Sequence, residues 1–232
     1  FAHNAAALGV DLKRLDFLVL SHRHNDHTGG LHQVLRESPN VTIYTPLEGA
    51  AFNSPTPPGL MGMIQRYVAS VPDEMRYFGG QPPAENSSES PWPGARFVQI
   101  RELTEVLPGF VLFSTRSSKP GTLEMNEISL VVRTPQGGVL FVGCSHPGIE
   151  NIVPTAAKID PRMHAIFGGF HLVDLSDAQV TQLVQDLHDK WKVARMAAGH
   201  CTGQFAFAEL IRIFGNRFDL AGVGAVIPLP SA

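Results

Sequence analysis

Residues 21–30 read SHRHNDHTGG, which places three histidines and a carboxylate within six positions directly behind the apolar run DFLVL of residues 16–20. A chain with this cluster has to bring a strand to an edge where imidazoles collect. In an extended segment alternate side chains share a face, so His22 and His24 can reach one ion. Asp26 and His27 follow where the chain turns, and are expected to address a second ion nearby. Neutral imidazole and carboxylate donors suit Zn(II), with Mn(II) or Fe(II) as weaker fits. Gly29 and Gly30 permit a tight passage into the next helix. The plain alternative is a solvated histidine patch, but four ligand-type residues at this spacing after a strand weigh against it.

The same arrangement recurs along the chain. Short apolar runs at residues 16–20, 138–143, 164–167 and 192–198 each lead into a Gly, Ser or His cluster, and each is followed by a histidine: His22, His146, His171 and His200. Strands that end this way align their terminal side chains along one sheet edge, where layered α/β proteins generally carry their chemistry. Between them, Ser176 and Gln179 form a capping box ahead of Val180, Leu183, Val184, Leu187 and Trp191 at helical spacing. Further helices are predicted over 31–36, 60–68, 149–159 and 205–214, and further strands over 41–44, 97–100, 110–113, 128–133 and 226–229. The expectation is a single α/β domain over 1–232, built of two pseudo-halves at about 1–113 and 123–232. Residues 72–94 lose periodicity and read as a long loop rich in Pro, Gly and Ser. Tyr77, Phe78 and Trp92 favour a lid there over a passive excursion.

Composition narrows the partners. With 232 residues, 44% of them hydrophobic, the chain can bury a substantial core. A net charge of -3 with 18 scattered basic residues excludes a nucleic-acid stripe and leaves a small-molecule substrate as the expected partner. No apolar run is long enough for a membrane span. The two cysteines, Cys144 and Cys201, lie beside histidines and do not read as a disulfide framework, so a reducing, cytoplasmic setting is expected. The oligomeric state is left open.

The pattern His-x-His-x-Asp-His at residues 22–27 is the hallmark of the metallo-beta-lactamase superfamily, which the chain resembles. GCSHPGIENI at 143–152, FGGFHL at 167–172 and GHCTG at 199–203 look like one branch of it. That branch is labelled 7,8-dihydropterin-6-methyl-4-(beta-D-ribofuranosyl)aminobenzene-5'-phosphate synthase or metal-dependent hydrolase. The resemblance implies an αβ/βα sandwich of two mixed sheets flanked by helices, with metals at one edge. It implies His22, His24, Asp26 and His27 as ligands, His200 completing the second site and His146 the first. His171 is then a ligand or a substrate-facing catalytic residue, and His146 and His171 are interchangeable in these roles. Two departures stand out. The middle strand ends in Cys144, Ser145 and His146 where the family usually has a metal-bridging aspartate, which leaves one or two ions open. Cys144 is read as a buried core residue before a thiolate ligand. The family also carries strands and a glycine-rich aspartate motif ahead of the position of Phe1, so the first strands are expected to be missing. His3, His32, His164 and His188 are expected to be structural or solvated.

The resemblance further implies a hydrolase using metal-activated water on a phosphoester, with Asp26 holding metal and orienting water and His171 donating a proton. A thioesterase or lactonase of the same superfamily, a di-iron oxidoreductase, and a non-catalytic pterin- or nucleotide-binding module are the alternatives.

Overall fold

The strand ahead of His22 is short, and its neighbours decide how it is held. In the computed structural model, which describes residues 1–47, 92, 94–119 and 123–229, α1 (Ala2–Ala7) precedes β1 (Leu18–Val19), α2 (Asn25–Thr28), α3 (Leu31–Glu37), β2 (Thr42–Pro46) and β3 (Arg96–Ile100). The strands form a sheet in the order β1-β2-β3. β1 runs parallel to β2, with Leu18 opposite Ile43 and Val19 opposite Tyr44. A parallel pair needs a crossover, and α3 supplies it. Leu31 and Val34 on its inner face pack with Leu20, Val41, Ile43 and Trp92. Trp92, which the sequence associated with a lid, is a core residue, 6% exposed. The predicted helix at 60–68 and nearly all of the loop at 72–94 lie outside the described residues. These elements make up the unit Phe1–Gln99.

The second unit, Ile100–Ala232, starts with β4 (Thr104–Leu107), β5 (Phe110–Arg116), β6 (Asn126–Thr134) and β7 (Gly137–Phe141). There follow α4 (Ile149–Ile159), β8 (Met163–Gly169), α5 (Asp177–Asp189), β9 (Arg195–Gly199), α6 (Gln204–Phe214) and β10 (Phe218–Leu220). Seven strands form one mixed sheet, in the order β10-β9-β8-β7-β6-β5-β4. From β4 to β7 successive strands are antiparallel hairpin partners, and from β7 to β10 they are parallel with a helix between each pair.

The helices are amphipathic, and one apolar cluster joins them to the sheet. Ile149, Ile152, Val153 and Ala156 of α4, Val180, Val184 and Leu187 of α5, and Leu210 and Phe214 of α6 meet Val131, Leu140, Ile166 and Met196. Full burial of such a side chain contributes about 1.5–3 kcal/mol, enough for this layer to fix the register of the strands beneath it. The capping box at Ser176 and Gln179 forms, with Ser176 N donating to Gln179 Oε1 at 3.0 Å.

The strand expected at 226–229 does not form. Those residues have no regular structure and Val226 is 92% exposed. The edge position is taken by β10, whose Phe218 packs on the helix layer and whose Asp219 pairs with Arg195 of β9 at 2.7 Å. An apolar run alone could not show which segment lies next to β9. Among the described residues no helix is long and apolar enough to cross a membrane.

Ile166 is wholly buried at the centre of the sheet, so Ile166→Ala should destabilise the protein by about 2–5 kcal/mol, read as a lower urea midpoint at unchanged slope. His32 and His164 are held below the ordinary imidazole value of 6.5 by burial first, and then by Arg36 and Arg195 respectively. The unfolded chain therefore takes up these protons before the folded one does. Stability from this source is complete above about pH 6.5 and declines below it. The urea midpoint should fall on acidification from about pH 7 to about pH 5.5, and less steeply in His32→Asn.

Candidate metal centre

In the first unit, Leu20 N donates to Tyr44 O at 2.9 Å and carries the β1 ladder one residue further towards the histidines. His22 is wholly buried. Its ring centroid lies 4.8 Å from that of His24 and 4.0 Å from that of His27. The chain then closes into α2, where His27 N and Thr28 N donate to His24 O at 3.0 and 3.1 Å. Ser21 Oγ lies 2.9 Å from His22 Nδ1 and 3.5 Å from His27 Nδ1, which orients both rings. Asp26 is exposed, its Oδ2 3.3 Å from His27 Nε2. Three imidazoles this close repel one another when protonated, whereas neutral rings can share a cation.

In the second unit the site is built from three strand exits. β7 leads to Cys144, Ser145 and His146, β8 to His171, and β9 to His200 and Cys201. Ser145, His171 and His200 have positive φ, at 59°, 43° and 52°; among the described non-glycine residues only Lys192 shares this. Each such residue costs about 1–3 kcal/mol and persists only where its surroundings impose it. Gly168 shows how close the exits come. With φ at 136°, a Cβ there would sit 2.1 Å from Val142 O.

The turn at 144–146 is held by its main chain. The Cys144 and Ser145 N–H groups donate to Glu127 Oε1 at 2.9 and 2.8 Å, and that of His146 to Glu127 Oε2 at 3.0 Å. Ser145 O accepts from Gly148 N at 2.8 Å, and His146 O from Ser117 Oγ at 3.2 Å. Ser145 Oγ donates to Gly169 O at 2.8 Å, tying this turn to the end of β8. Burial pushes the Glu127 carboxyl up, and the three N–H groups pull it back.

The His146 and His171 rings lie 4.5 Å apart. Cys144 Sγ is within 4.8 Å of a ring nitrogen of His146 and of one of His200. His171 Nε2 is 3.2 Å from Asp174 Oδ2, while its buried Nδ1 has no hydrogen-bond partner among the described residues. Cys201 Sγ lies 3.8 Å from Cys144 O. Its thiol is pulled down to about 5, first by hydrogen bonding with Cys144 and then by His171 and His200, against its partial burial. Imidazole and thiol donors at this density, with a buried ring nitrogen on His171 that no described residue bonds, fit a divalent transition metal.

His22, His24, Asp26 and His27 are thus brought together in one unit, and His146, His171 and His200 in the other. The sequence set Cys144 behind the histidines, yet it stands within reach of two of them. His188, expected to be structural or solvated, is bonded on both ring nitrogens. Its Nδ1 is 2.7 Å from Asp189 Oδ1 and its Nε2 2.7 Å from Arg217 Nη2. Arginine only donates, so Nε2 accepts and the proton sits on Nδ1. Sequence reasoning missed Glu127, whose signal was faint: one acid inside the strand run NEISLVV.

An α/β fold with two sheets and histidines at successive strand exits defines a class of metal-dependent enzymes. The model of the metallo-beta-lactamase superfamily matches residues 1–190, and the chain belongs to that superfamily. It is 27% identical to the 7,8-dihydropterin-6-methyl-4-(beta-D-ribofuranosyl)-aminobenzene-5'-phosphate synthase of Methanocaldococcus jannaschii, over 97% of this chain and 79% of the relative. Its fold is similar to that of a metal-dependent hydrolase of the beta-lactamase superfamily, with TM-score 0.71 at 23% identity over 99% of this chain and 85% of the other. It is also similar to the isothiocyanate hydrolase from Delia radicum gut bacteria, with TM-score 0.55 at 13% identity over 94% and 78% of the two chains.

Because a side chain at 168 meets the main chain of Val142, Gly168→Ala should destabilise by roughly 3 kcal/mol or more. Gly109→Ala, at φ 83° but with its nearest neighbour 3.8 Å away, should cost only about 1 kcal/mol. Urea titration of the two variants separates collision from backbone strain.

Proposed function

We propose that the chain is a metal-dependent hydrolase acting on a phosphoester of a small molecule, with Asp26 and His171 in chemical roles. Its metal ligands in this reading are His22, His24, Asp26, His27, His146 and His200. The observation that carries it is the packing of the His27 and His24 rings at 4.0 and 4.8 Å from that of His22, beside Asp26, in a member of this superfamily. Zinc, as one or two ions, suits these donors, with Mn(II) or Fe(II) as weaker fits. Cys144 offers a thiolate where the family usually has a bridging aspartate.

A cation held by these residues would lower the pKa of a water towards about 7 and would draw charge from the phosphoryl group. Asp26 is exposed and orients the attacking water through its second oxygen. Asp174 holds Nε2 of His171, so Nδ1 is the nitrogen that exchanges a proton with the reacting groups. His171 gives a proton from Nδ1 to the departing alkoxide while Asp174 holds the ring through Nε2. The oxygen of that water forms a new P–O bond as the ester P–O bond breaks; one of its protons stays on the phosphate and the other is released to solvent, while the alcohol leaves with the proton from His171.

The preference for a phosphoester rests on likeness to the M. jannaschii protein, whose name specifies a ribofuranosyl phosphate. That protein is named a synthase, which favours a second reading: transfer to an acceptor other than water, using the same residues.

Elemental analysis followed by a panel of phosphoester, thioester and lactone substrates tests the reading. Zinc with phosphoester turnover is expected. Bound iron with a brown colour and no hydrolysis would mark an oxidoreductase, and ligand retention without turnover a binding module. His22→Ala and Asp26→Ala should each lose metal affinity and activity together, by on the order of 100-fold. His188→Gln should keep its metal. Unchanged metal content in both of the first two variants would overturn the assignment.

A further inference from the structure

Residues 144–146 lie outside helix and strand, so their N–H groups have no ladder to join. All three converge instead on the side chain of Glu127, which has no exposed surface. Glu127 stands 17 residues before Cys144 in the chain. On β6 it shares a face with Ser129 and Val131, and Val131 packs in the helix-layer core. A carboxylate in such a position is rarely tolerated unless it is fully hydrogen-bonded. Its two oxygens divide the work: Oε1 accepts from Cys144 and Ser145, and Oε2 from His146. All three bonds come from main chain.

We propose that Glu127 is the positioning residue of the second unit's donor cluster. Its carboxylate fixes the 144–146 backbone in the conformation that presents the Cys144 thiol and the His146 ring to one ion. Between the two anchored ends Ser145 is forced to φ 59°, a conformation a serine does not adopt by preference. The residues at either side of that corner then carry their side chains to within 4.8 Å of each other. A glutamine cannot substitute. It keeps the size of glutamate but has a single acceptor oxygen, so its amide N–H₂ would face the N–H of His146 or those of Cys144 and Ser145. An aspartate keeps both acceptors but draws them back by about 1.5 Å. The inference rests on His146 being a ligand, as proposed above.

The test measures Zn(II) affinity by chelator competition, and the visible spectrum of the Co(II)-loaded protein, for wild type, Glu127→Gln, Glu127→Asp and His146→Ala. Glu127→Gln is expected to weaken Zn(II) binding about 10- to 100-fold and to shift the Co(II) bands, with Glu127→Asp between it and wild type. A folded Glu127→Gln with wild-type affinity and spectrum overturns the proposal, even where its urea midpoint is lower, because a merely structural glutamate would behave that way. Should Glu127→Gln fail to fold, Glu127→Asp decides on the same two readouts. His146→Ala separates the two levels. If it binds metal as wild type does, the ligand assignment fails; if it loses metal while the Glu127 variants do not, only the role of Glu127 fails.

Discussion

Main-chain groups that leave a sheet inside a protein still need partners, and the second unit is organised around that demand. A buried donor without an acceptor costs about 1–3 kcal/mol, and the exit of β7 turns three of them inward at once. One carboxylate answers all three. Its own burial is tolerable for the same reason, since each oxygen is occupied. The corner at Ser145, the tie from Ser145 Oγ to Gly169 O and the placement of His146 follow from that mutual satisfaction.

Parallel pairing does the rest of the arranging. Phe141 stands opposite Phe167 and Gly169 opposite Gly199, so three successive strands release their chains side by side. Each exit bends through a positive-φ residue, and at two of the three that residue is itself a histidine, His171 or His200. The first unit reaches a similar result by different means. There a two-residue strand, extended by the bond from Leu20 to Tyr44, leads through His22 and His24 into a single helical turn that carries Asp26 and His27.

Much of this could be read from the sequence, because the relevant signals are local. His22, His24, Asp26 and His27 fall within one turn and strand end, the 149–159 and 177–189 helices announce their apolar faces, and four apolar runs end near histidines. Elements that depend on distant partners were harder. β4 alternates exposed and half-buried residues and lacks an apolar run. β10 exists because β9 offers it an edge, whereas the equally apolar 226–229 segment finds none. Glu127 was invisible for the same reason. Its meaning lies in the backbone of residues 17 to 19 positions later, and no spacing rule links an acid on one strand to a turn beyond the next. Cys144 was set aside on the general habits of buried cysteines, which say nothing of neighbours supplied by β9.

The contact of Gly168 with Val142 has a mechanical consequence. Where two backbones touch with no side chain between them, their separation is set by atoms that have no rotamers to change. The exits that lead to His146 and His171, whose rings lie 4.5 Å apart, are thereby spaced at this point by peptide units. Because Val142 also packs against the helix-layer core, the same contact ties the mouth of the sheet to that layer.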